Sequence, residues 1–200
     1  SAFQAAVDIW AYSIESPVTI RIEAHWQSLE PGTLGAAGPA LVVRDFANSP
    51  NSDYFPVALA NKIAGTDLYP GDPDIVSYFN SGANWYYGTD GNTPYNKYDL
   101  MSVVLHELGH GLGFISSSDY ESGTGSFGLG SESIPLYYDR FLTNGQNGPL
   151  LINMSGVNLG NAFTSNNVYC KSSSAAAHLG GNYPKIYAPS PYEDGSSISH

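Results

Sequence analysis

One helical segment in the middle of the chain constrains the fold most strongly. Helical spacing of apolar residues runs from Tyr98 to Gly111, and Asp99 stands where an N-cap side chain would accept a backbone N–H. Inside this segment, the run His106-Glu-Leu-Gly-His110 places two imidazoles four residues apart. Residues with this separation lie on one face of a helix, one turn apart. Any fold of this chain must therefore accommodate two histidine rings on one face of an apolar helix.

The two histidines and the glutamate between them have the spacing of a zinc site. Both imidazoles can reach one ion, and Glu107 is rotated to flank it, where its carboxylate can take a proton from a water on the ion. Zinc suits this ligand set, because it binds imidazole nitrogens and keeps an open position for a water molecule. The metal lowers the pKa of that water toward ~7. A surface helix with two stray histidines is disfavoured, because buried His and Glu need partners and the helix carries many apolar residues: Val103, Val104, Leu105 and Leu108.

The residues that follow His110 indicate which group of zinc enzymes the motif resembles. The run His106-Glu-Leu-Gly-His-Gly-Leu-Gly113-Phe114 resembles the metzincin clan of zinc metallopeptidases, in which the helix ends at such a glycine. Glycine adopts the positive φ of that turn readily. In most of the clan, a third His or Asp ligand follows the glycine by three residues. Here that position is Ser116, and serine is a poor zinc ligand.

One branch of the clan takes its third ligand from farther along the chain. Leishmanolysin-like peptidases deliver it in a Gly-Ser-rich stretch, and Gly195-Ser-Ser-Ile-Ser-His200 is similar to that stretch. The resemblance implies zinc on His106, His110 and His200, with Glu107 as general base. The alternatives for the third ligand are His178 and four carboxylates: Glu193, Asp194, Asp119 and Asp139. We expect His25, on the polar face of a predicted strand, to be solvated.

The resemblance also implies an architecture. We expect an α+β, metzincin-like fold, with an N-terminal mixed twisted β-sheet, a backing helix and an active-site helix, followed by an irregular C-terminal lobe. Residues 1–200 would form one catalytic domain, with an upper lobe over 1–113 and a lower lobe over 114–200. The clan has a methionine turn after the third ligand, whereas Met101 and Met154 both precede His200. We therefore expect the domain to be truncated at its C-terminus.

Hydrophobic periodicity predicts the remaining elements. Strict alternation over 18–26 is typical of a half-buried strand. A helical pattern over 54–64 stops at Gly65, which is a good C-terminal signal. Further strands are expected over 40–43, 74–79, 85–87 and 136–142, and a short helix over 174–179.

Two weaker predictions concern ligands other than zinc. In the clan, an edge strand of the sheet pairs with the extended substrate. Sequence order assigns that strand to Trp85, Tyr86 and Tyr87. The segment before the helix is rich in carboxylates: Asp67, Asp72, Asp74, Asp90 and Asp99. These carboxylates could hold Ca²⁺, although a solvated acidic loop is favoured.

Composition excludes several classes of partner. The 200 residues carry 7 Lys+Arg against 18 Asp+Glu, a net charge of −11, with no basic stripe to bind nucleic acid or an anionic membrane. No apolar run reaches the ~18 residues of a membrane span. The single cysteine, Cys170, excludes an internal disulfide. Neutral polar residues in place of charge favour a secreted protein, and the scarcity of cysteine favours a bacterial one. We expect a monomer.

These observations predict a secreted zinc-dependent endopeptidase acting on protein or peptide substrates. Two alternatives stay open. One is a non-catalytic binding or surface protein with an incomplete metallopeptidase-like site, which Ser116 favours. The other is a zinc hydrolase that acts on a non-peptide amide.

Overall fold

The chain divides after Gly113. A computed structural model describes residues 1–200, and their contacts separate one unit, Ser1–Gly113, from a second, Phe114–His200. None of the helices is both long and apolar enough to span a bilayer.

The first unit is built from three helices and seven strands. In chain order they are α1 (Ala2–Ser13), β1 (Ile22–Gln27), β2 (Gly35–Pro39), β3 (Val42–Val43), β4 (Phe55–Pro56), α2 (Val57–Ala64), β5 (Ile75–Asn80), β6 (Trp85–Tyr86), β7 (Tyr98–Asp99) and α3 (Leu100–Leu112). A three-stranded mixed sheet has the order β1-β5-β2, with β1 parallel and β2 antiparallel to β5. The strands β3 and β4 form an antiparallel pair, and β6 and β7 a parallel one.

Helix α1 was not predicted, although the sequence contains signals for it. The Ser1 hydroxyl accepts the N–H of Gln4 at 3.3 Å, which caps the first turn. Ala2 and Ala6 are buried, and Trp10 donates its indole N–H to the carbonyl of Leu105 at 3.0 Å. This spacing gives the helix one apolar face, which packs against α3.

The predicted elements of the first unit are present with shifted ends. The strand expected from residue 18 begins at Ile22, and the strand over 74–79 is β5. The helix expected from residue 54 begins at Val57, after Pro56, and ends at Gly65 with a φ of 73°. The strand β2 was missed, because Gly-Ala-Ala-Gly-Pro has no β-branched or aromatic residue and becomes a strand through pairing with β5.

The prediction that residues 85–87 form an edge of the main sheet is wrong. The strand β6 pairs with β7 and lies outside the sheet β1-β5-β2. Trp85 is only 2% exposed, and its indole N–H donates to the carbonyl of Asn80 at 2.7 Å. Its ring packs near those of Trp26 and Tyr98, with centroids 6.0 and 6.4 Å away. The indole is therefore part of the core, whereas Tyr87 is exposed.

Helix α3 packs directly on the sheet through a glycine. Ile75 of β5 is buried, as are Val104 and Leu108 of α3. A Cβ added at Gly111 would lie 2.3 Å from Cγ2 of Ile75. The absence of a side chain at Gly111 thus lets the helix approach β5 closely, and this contact belongs to the first unit's core.

The second unit contains short elements around its own core. In chain order they are β8 (Ser118–Glu121), β9 (Thr124–Phe127), a 3₁₀ helix (Tyr137–Phe141), β10 (Leu142–Asn144), a second 3₁₀ helix (Leu151–Asn153), α4 (Gly156–Phe163), β11 (Val168–Cys170), α5 (Ser173–His178) and β12 (Lys185–Ile186). The strands β10, β11 and β12 form an antiparallel sheet, and β8 and β9 a hairpin. The expected helix near 174–179 is α5.

The strand predicted over 136–142 is wrong for most of its length. Tyr137–Phe141 is a 3₁₀ helix, and only Leu142 continues into β10. The carboxylate of Asp139 accepts the N–H of Leu136 at 3.0 Å, which turns the chain back on itself. A side chain that bonds to backbone close by competes with a sheet ladder, and this competition overrides the apolar pattern.

Substituting the two glycines of α3, Gly109 and Gly111, tests the close contact with β5. In Gly111→Ala the new methyl meets Ile75, so we expect the free energy of unfolding to fall by about 1–3 kcal/mol. In Gly109→Ala the nearest heavy atom outside the helix backbone, Cζ2 of Trp10, is 3.6 Å away, and removing a helical glycine should stabilise by roughly 0.5–1 kcal/mol. Urea unfolding measures both, and equal effects of the two substitutions would contradict the packing.

Candidate metal centre

Helix α3 brings the two predicted histidine ligands together. Its first turn is fixed by Asp99, whose carboxylate accepts the N–H of Ser102 at 2.7 Å, as predicted for an N-cap. Its last turn ends at Gly113, with a φ of 122°. On the face between these ends, the Nε2 atoms of His106 and His110 are 3.1 Å apart. The rings are perpendicular, with an interplanar angle of 88°.

The separation of the two nitrogens fits shared coordination of one ion. Two imidazoles that bind Zn²⁺ with N–Zn distances of 2.0–2.1 Å in a tetrahedral arrangement have nitrogens about 3.3 Å apart. The 3.1 Å between His106 and His110 is close to that value. His110 is buried and His106 is exposed, so the pair lies at the edge of the first unit's core. The donor set and its spacing therefore fit zinc.

The side chain of Glu107, the residue after His106, lies against strand β2. Its side chain is 8% exposed, and burial raises the pKa of its carboxyl to about 7. The backbone N–H of Ala37 donates to this carboxylate, which lowers the pKa and partly offsets the effect of burial. A group with a pKa near 7 can accept and release a proton at neutral pH, as a general base must.

Gly35 makes room for the Glu107 side chain. A Cβ at Gly35 would lie 2.9 Å from Cγ of Glu107 and 3.2 Å from both Cδ and Oε1. Strand β2 thus contributes a gap at Gly35 and a hydrogen-bond donor at Ala37, two residues along. Neither Gly35 nor Ala37 was predicted from the sequence. The Gly-Ala-Ala-Gly run was the signal available, because glycine in a strand often marks a site where another group packs close to the backbone.

In the second unit, Ser116 follows Gly113 by three residues and is held by hydrogen bonds. Its hydroxyl donates to Oδ1 of Asp139 at 2.6 Å and accepts the N–H of Ser118 at 3.0 Å. The hydroxyl of Ser117 donates to Oδ2 of Asp139 at 2.6 Å. Asp139 is fully buried, and burial raises the pKa of its carboxyl to about 6 in spite of these bonds. Both oxygens of Asp139 therefore accept hydrogen bonds within the second unit.

His200 is half-buried at the end of the described chain, within the second unit. Its Nδ1 lies 2.7 Å from the carbonyl oxygen of Ser196, and its own carbonyl accepts the N–H of Tyr187 at 2.5 Å. A ring nitrogen facing a carbonyl carries the proton, because a carbonyl oxygen only accepts. This places the lone pair of a neutral His200 ring on Nε2.

The other residues considered as third ligands have different surroundings. His178 is exposed at the end of α5, and the carboxylate of Glu193 accepts the hydroxyl of Tyr187 at 3.0 Å. Asp119 and Asp194 are exposed. His25 belongs to the first unit's sheet, where its ring stacks on Tyr78 with centroids 4.8 Å apart and pairs with Glu23 at 2.7 Å.

Several of the carboxylates that could hold Ca²⁺ form hydrogen bonds or ion pairs that stabilise the fold. Asp74 is buried and accepts the N–H of Arg21 at 2.7 Å and the side-chain amide of Asn61 at 2.8 Å. Asp67 pairs with the guanidinium of Arg21. Asp99 is the N-cap of α3, so its carboxylate also has a structural role. Binding of Ca²⁺ by this region stays a prediction.

The proteins that this chain resembles have descriptions that name no activity. A family model described as SPBPB7E8-like matches residues 30–127, which include β2 and α3. The "Uncharacterized protein PB7E8.01" of Schizosaccharomyces pombe (strain 972 / ATCC 24843) is 32% identical over 104 residues. The match covers 51% of this chain and 17% of that protein. No solved structure matches the chain.

The contact between β2 and Glu107 can be tested with two glycines of the same strand. In Gly35→Ala the methyl displaces the Glu107 side chain, so the hydrogen bond from Ala37 is lost. We expect the Ala37 amide to exchange with solvent about tenfold faster, since a hydrogen bond of this kind contributes roughly 1.5 kcal/mol. Hydrogen exchange followed by NMR measures this rate. In Gly38→Ala, where nothing lies within 4 Å of the new Cβ, the rate should not change; equal rates in both variants would contradict the contact.

Proposed function

We propose that the protein is a secreted, zinc-dependent endopeptidase. The observation that carries this proposal is the pair of Nε2 atoms 3.1 Å apart on α3, one residue away from a buried carboxylate with a pKa of about 7. A pair of imidazoles and an adjacent base are the parts that metal-assisted hydrolysis requires. The proposal includes a metzincin-like fold, because the run from His106 to Phe114 resembles the zinc-binding motif of that clan.

We propose His200 as the third zinc ligand. The Gly-Ser-rich run that ends at His200 is similar to the downstream ligand segment of leishmanolysin-like peptidases. The hydrogen bond from Nδ1 to the Ser196 carbonyl supports the assignment, since metal-binding histidines usually donate their second ring N–H to such a partner. This bond selects the tautomer in which Nε2 can bind a metal.

The protein residues then divide the chemistry as follows. Zinc, when bound, lowers the pKa of water and polarises the scissile carbonyl. Glu107 takes the proton of the attacking water and returns it to the leaving amine nitrogen. Burial keeps the pKa of Glu107 near 7, which suits both directions of this transfer. The Ala37 N–H holds the carboxylate in place while it changes protonation state.

We propose strand β2 as the substrate-binding edge, in place of residues 85–87. This strand is at the edge of the sheet β1-β5-β2, and it contacts the Glu107 side chain through Gly35. An extended peptide can add to such an edge through main-chain hydrogen bonds. Glycine and alanine dominate β2, so its side chains leave room for a substrate backbone.

A second candidate is a non-catalytic binding protein with the same helix. The arrangement around Ser116 favours it, because the hydroxyl at the usual ligand position is committed to Asp139 and Ser118. A binding protein of this kind can hold zinc without cleaving peptides. The two functions therefore separate on chelator-sensitive cleavage by the zinc-loaded protein.

Replacing Glu107 separates proton transfer from metal binding. We expect Glu107→Gln to retain one zinc per chain and to cleave casein about 10²–10⁴-fold more slowly, because the amide cannot accept the proton. His110→Ala should lose both zinc and cleavage. Metal content by atomic absorption and initial rates of casein digestion, with and without a chelator, measure these effects.

The matched control for this experiment is Glu121→Gln, which neutralises an exposed carboxylate of β8. Its zinc content and cleavage rate should equal those of the wild type. Unchanged casein cleavage by Glu107→Gln would falsify the role of Glu107. Zinc bound by the wild type without any cleavage would favour the binding protein.

A further inference from the structure

The fully buried carboxylate of Asp139 is the centre of a hydrogen-bond network in the second unit. It accepts the hydroxyl protons of Ser116 and Ser117, each at 2.6 Å, and the backbone N–H groups of Ser117 and Leu136, at 3.3 and 3.0 Å. Burying a carboxylate is costly unless several donors surround it. A site with so many donors around one acceptor fixes the positions of the segments that supply them.

One branch of this network leads to the residue before His200. The backbone N–H of Ser116 donates to the hydroxyl oxygen of Ser199 at 3.0 Å. The hydroxyl of the same Ser116 donates to Asp139, so a single residue joins the buried carboxylate to Ser199. These contacts connect positions 23 and 83 residues apart in the chain, and neither could be read from local sequence.

The neighbour of Asp139 in the 3₁₀ helix reaches the same loop. The hydroxyl of Tyr138 donates to the carbonyl of Ile198 at 3.3 Å. Ile198 is fully buried and has a φ of 70°, which is rare for a β-branched residue and persists only where the surroundings enforce it. Tyr138 and Asp139 therefore anchor two consecutive residues of the segment that ends at His200.

The ring of His200 is oriented by the same segment. Its Nδ1 is 2.7 Å from the Ser196 carbonyl, and the Glu193 N–H donates to the Ser197 hydroxyl at 2.8 Å. Residues 193–200 thus form a turn closed by its own hydrogen bonds, and Ser116 contacts this turn at Ser199. Loss of that anchor would leave the His200 side chain without a fixed direction.

We propose that Asp139 is a positioning residue for His200, acting through Ser116 and Ser199. The proposal rests on the proposed function, in which His200 is a zinc ligand. It also gives Ser116 a role: its hydroxyl donates to Asp139, and its backbone N–H donates to Ser199, the residue before the proposed ligand. Asp139, which sequence reasoning left open as a ligand, acts on the metal site only through these two serines.

The test uses Asp139→Asn and the milder Ser199→Ala. We expect the zinc affinity, measured by competition with a chromophoric chelator, to fall 10–100-fold in both, as is usual for residues that orient a ligand. In metal-free protein, long-range ¹H–¹⁵N NMR should show one tautomer of His200, protonated at Nδ1, in the wild type and mixed tautomers in the variants. The controls are Glu121→Gln and Ser126→Ala, which change exposed residues of β8 and β9.

The two readouts separate failure of this inference from failure of the proposed function. A wild type that binds no zinc would overturn the proposed function, while the tautomer of His200 would still report on Asp139. Folded variants that keep the wild-type zinc affinity and the wild-type His200 spectrum would overturn the positioning role. Where Asp139→Asn does not fold, Ser199→Ala decides the question, since it removes only the hydroxyl that accepts the Ser116 N–H and leaves the hydrogen bonds to Asp139 in place.

Discussion

The close approach of α3 to the sheet is the constraint on which the proposed chemistry depends. Gly111 lets the helix lie against Ile75, and Gly35 lets the Glu107 side chain lie against β2. A Cβ at Gly111 would lie 2.3 Å from Ile75 and one at Gly35 would lie 2.9 Å from Glu107, so the present packing depends on both gaps. Because the helix is fixed at this distance, burial can raise the pKa of Glu107 to about 7 while the histidines remain at the edge of the core.

The chain uses carboxylates as acceptors within the fold, although its net charge of −11 works against burying them. Asp74 ties β1 to α2, Asp99 starts α3, and Asp139 holds the serines of the second unit. Each has hydrogen-bond donors in place of the water that it lost. Glu107 differs in having one backbone donor, from Ala37, which leaves its proton affinity high. That difference separates a structural carboxylate from one suited to proton transfer.

Local patterns allowed part of this structure to be predicted. The cap at Asp99, the end of α3 at Gly113 and the histidine pair depend on residues within one or two turns, and the sequence displays them directly. Strand β2 and the 3₁₀ helix at Tyr137–Phe141 depend on partners far along the chain or on a side chain that bonds to backbone, and propensity was misleading for both. Gly35 was missed, and Asp139 was considered only as a metal ligand, for the same reason: what they contact is distant in sequence.

We propose that one zinc ion is bound by His106, His110 and His200. An anomalous-difference map from a crystal of the zinc-loaded protein, collected on both sides of the zinc absorption edge, tests it most directly. We expect one peak, about 2.0–2.1 Å from an imidazole nitrogen of each of these three residues. A peak whose third protein ligand is His178 or a carboxylate, or the absence of any peak beside His106 and His110, would contradict it.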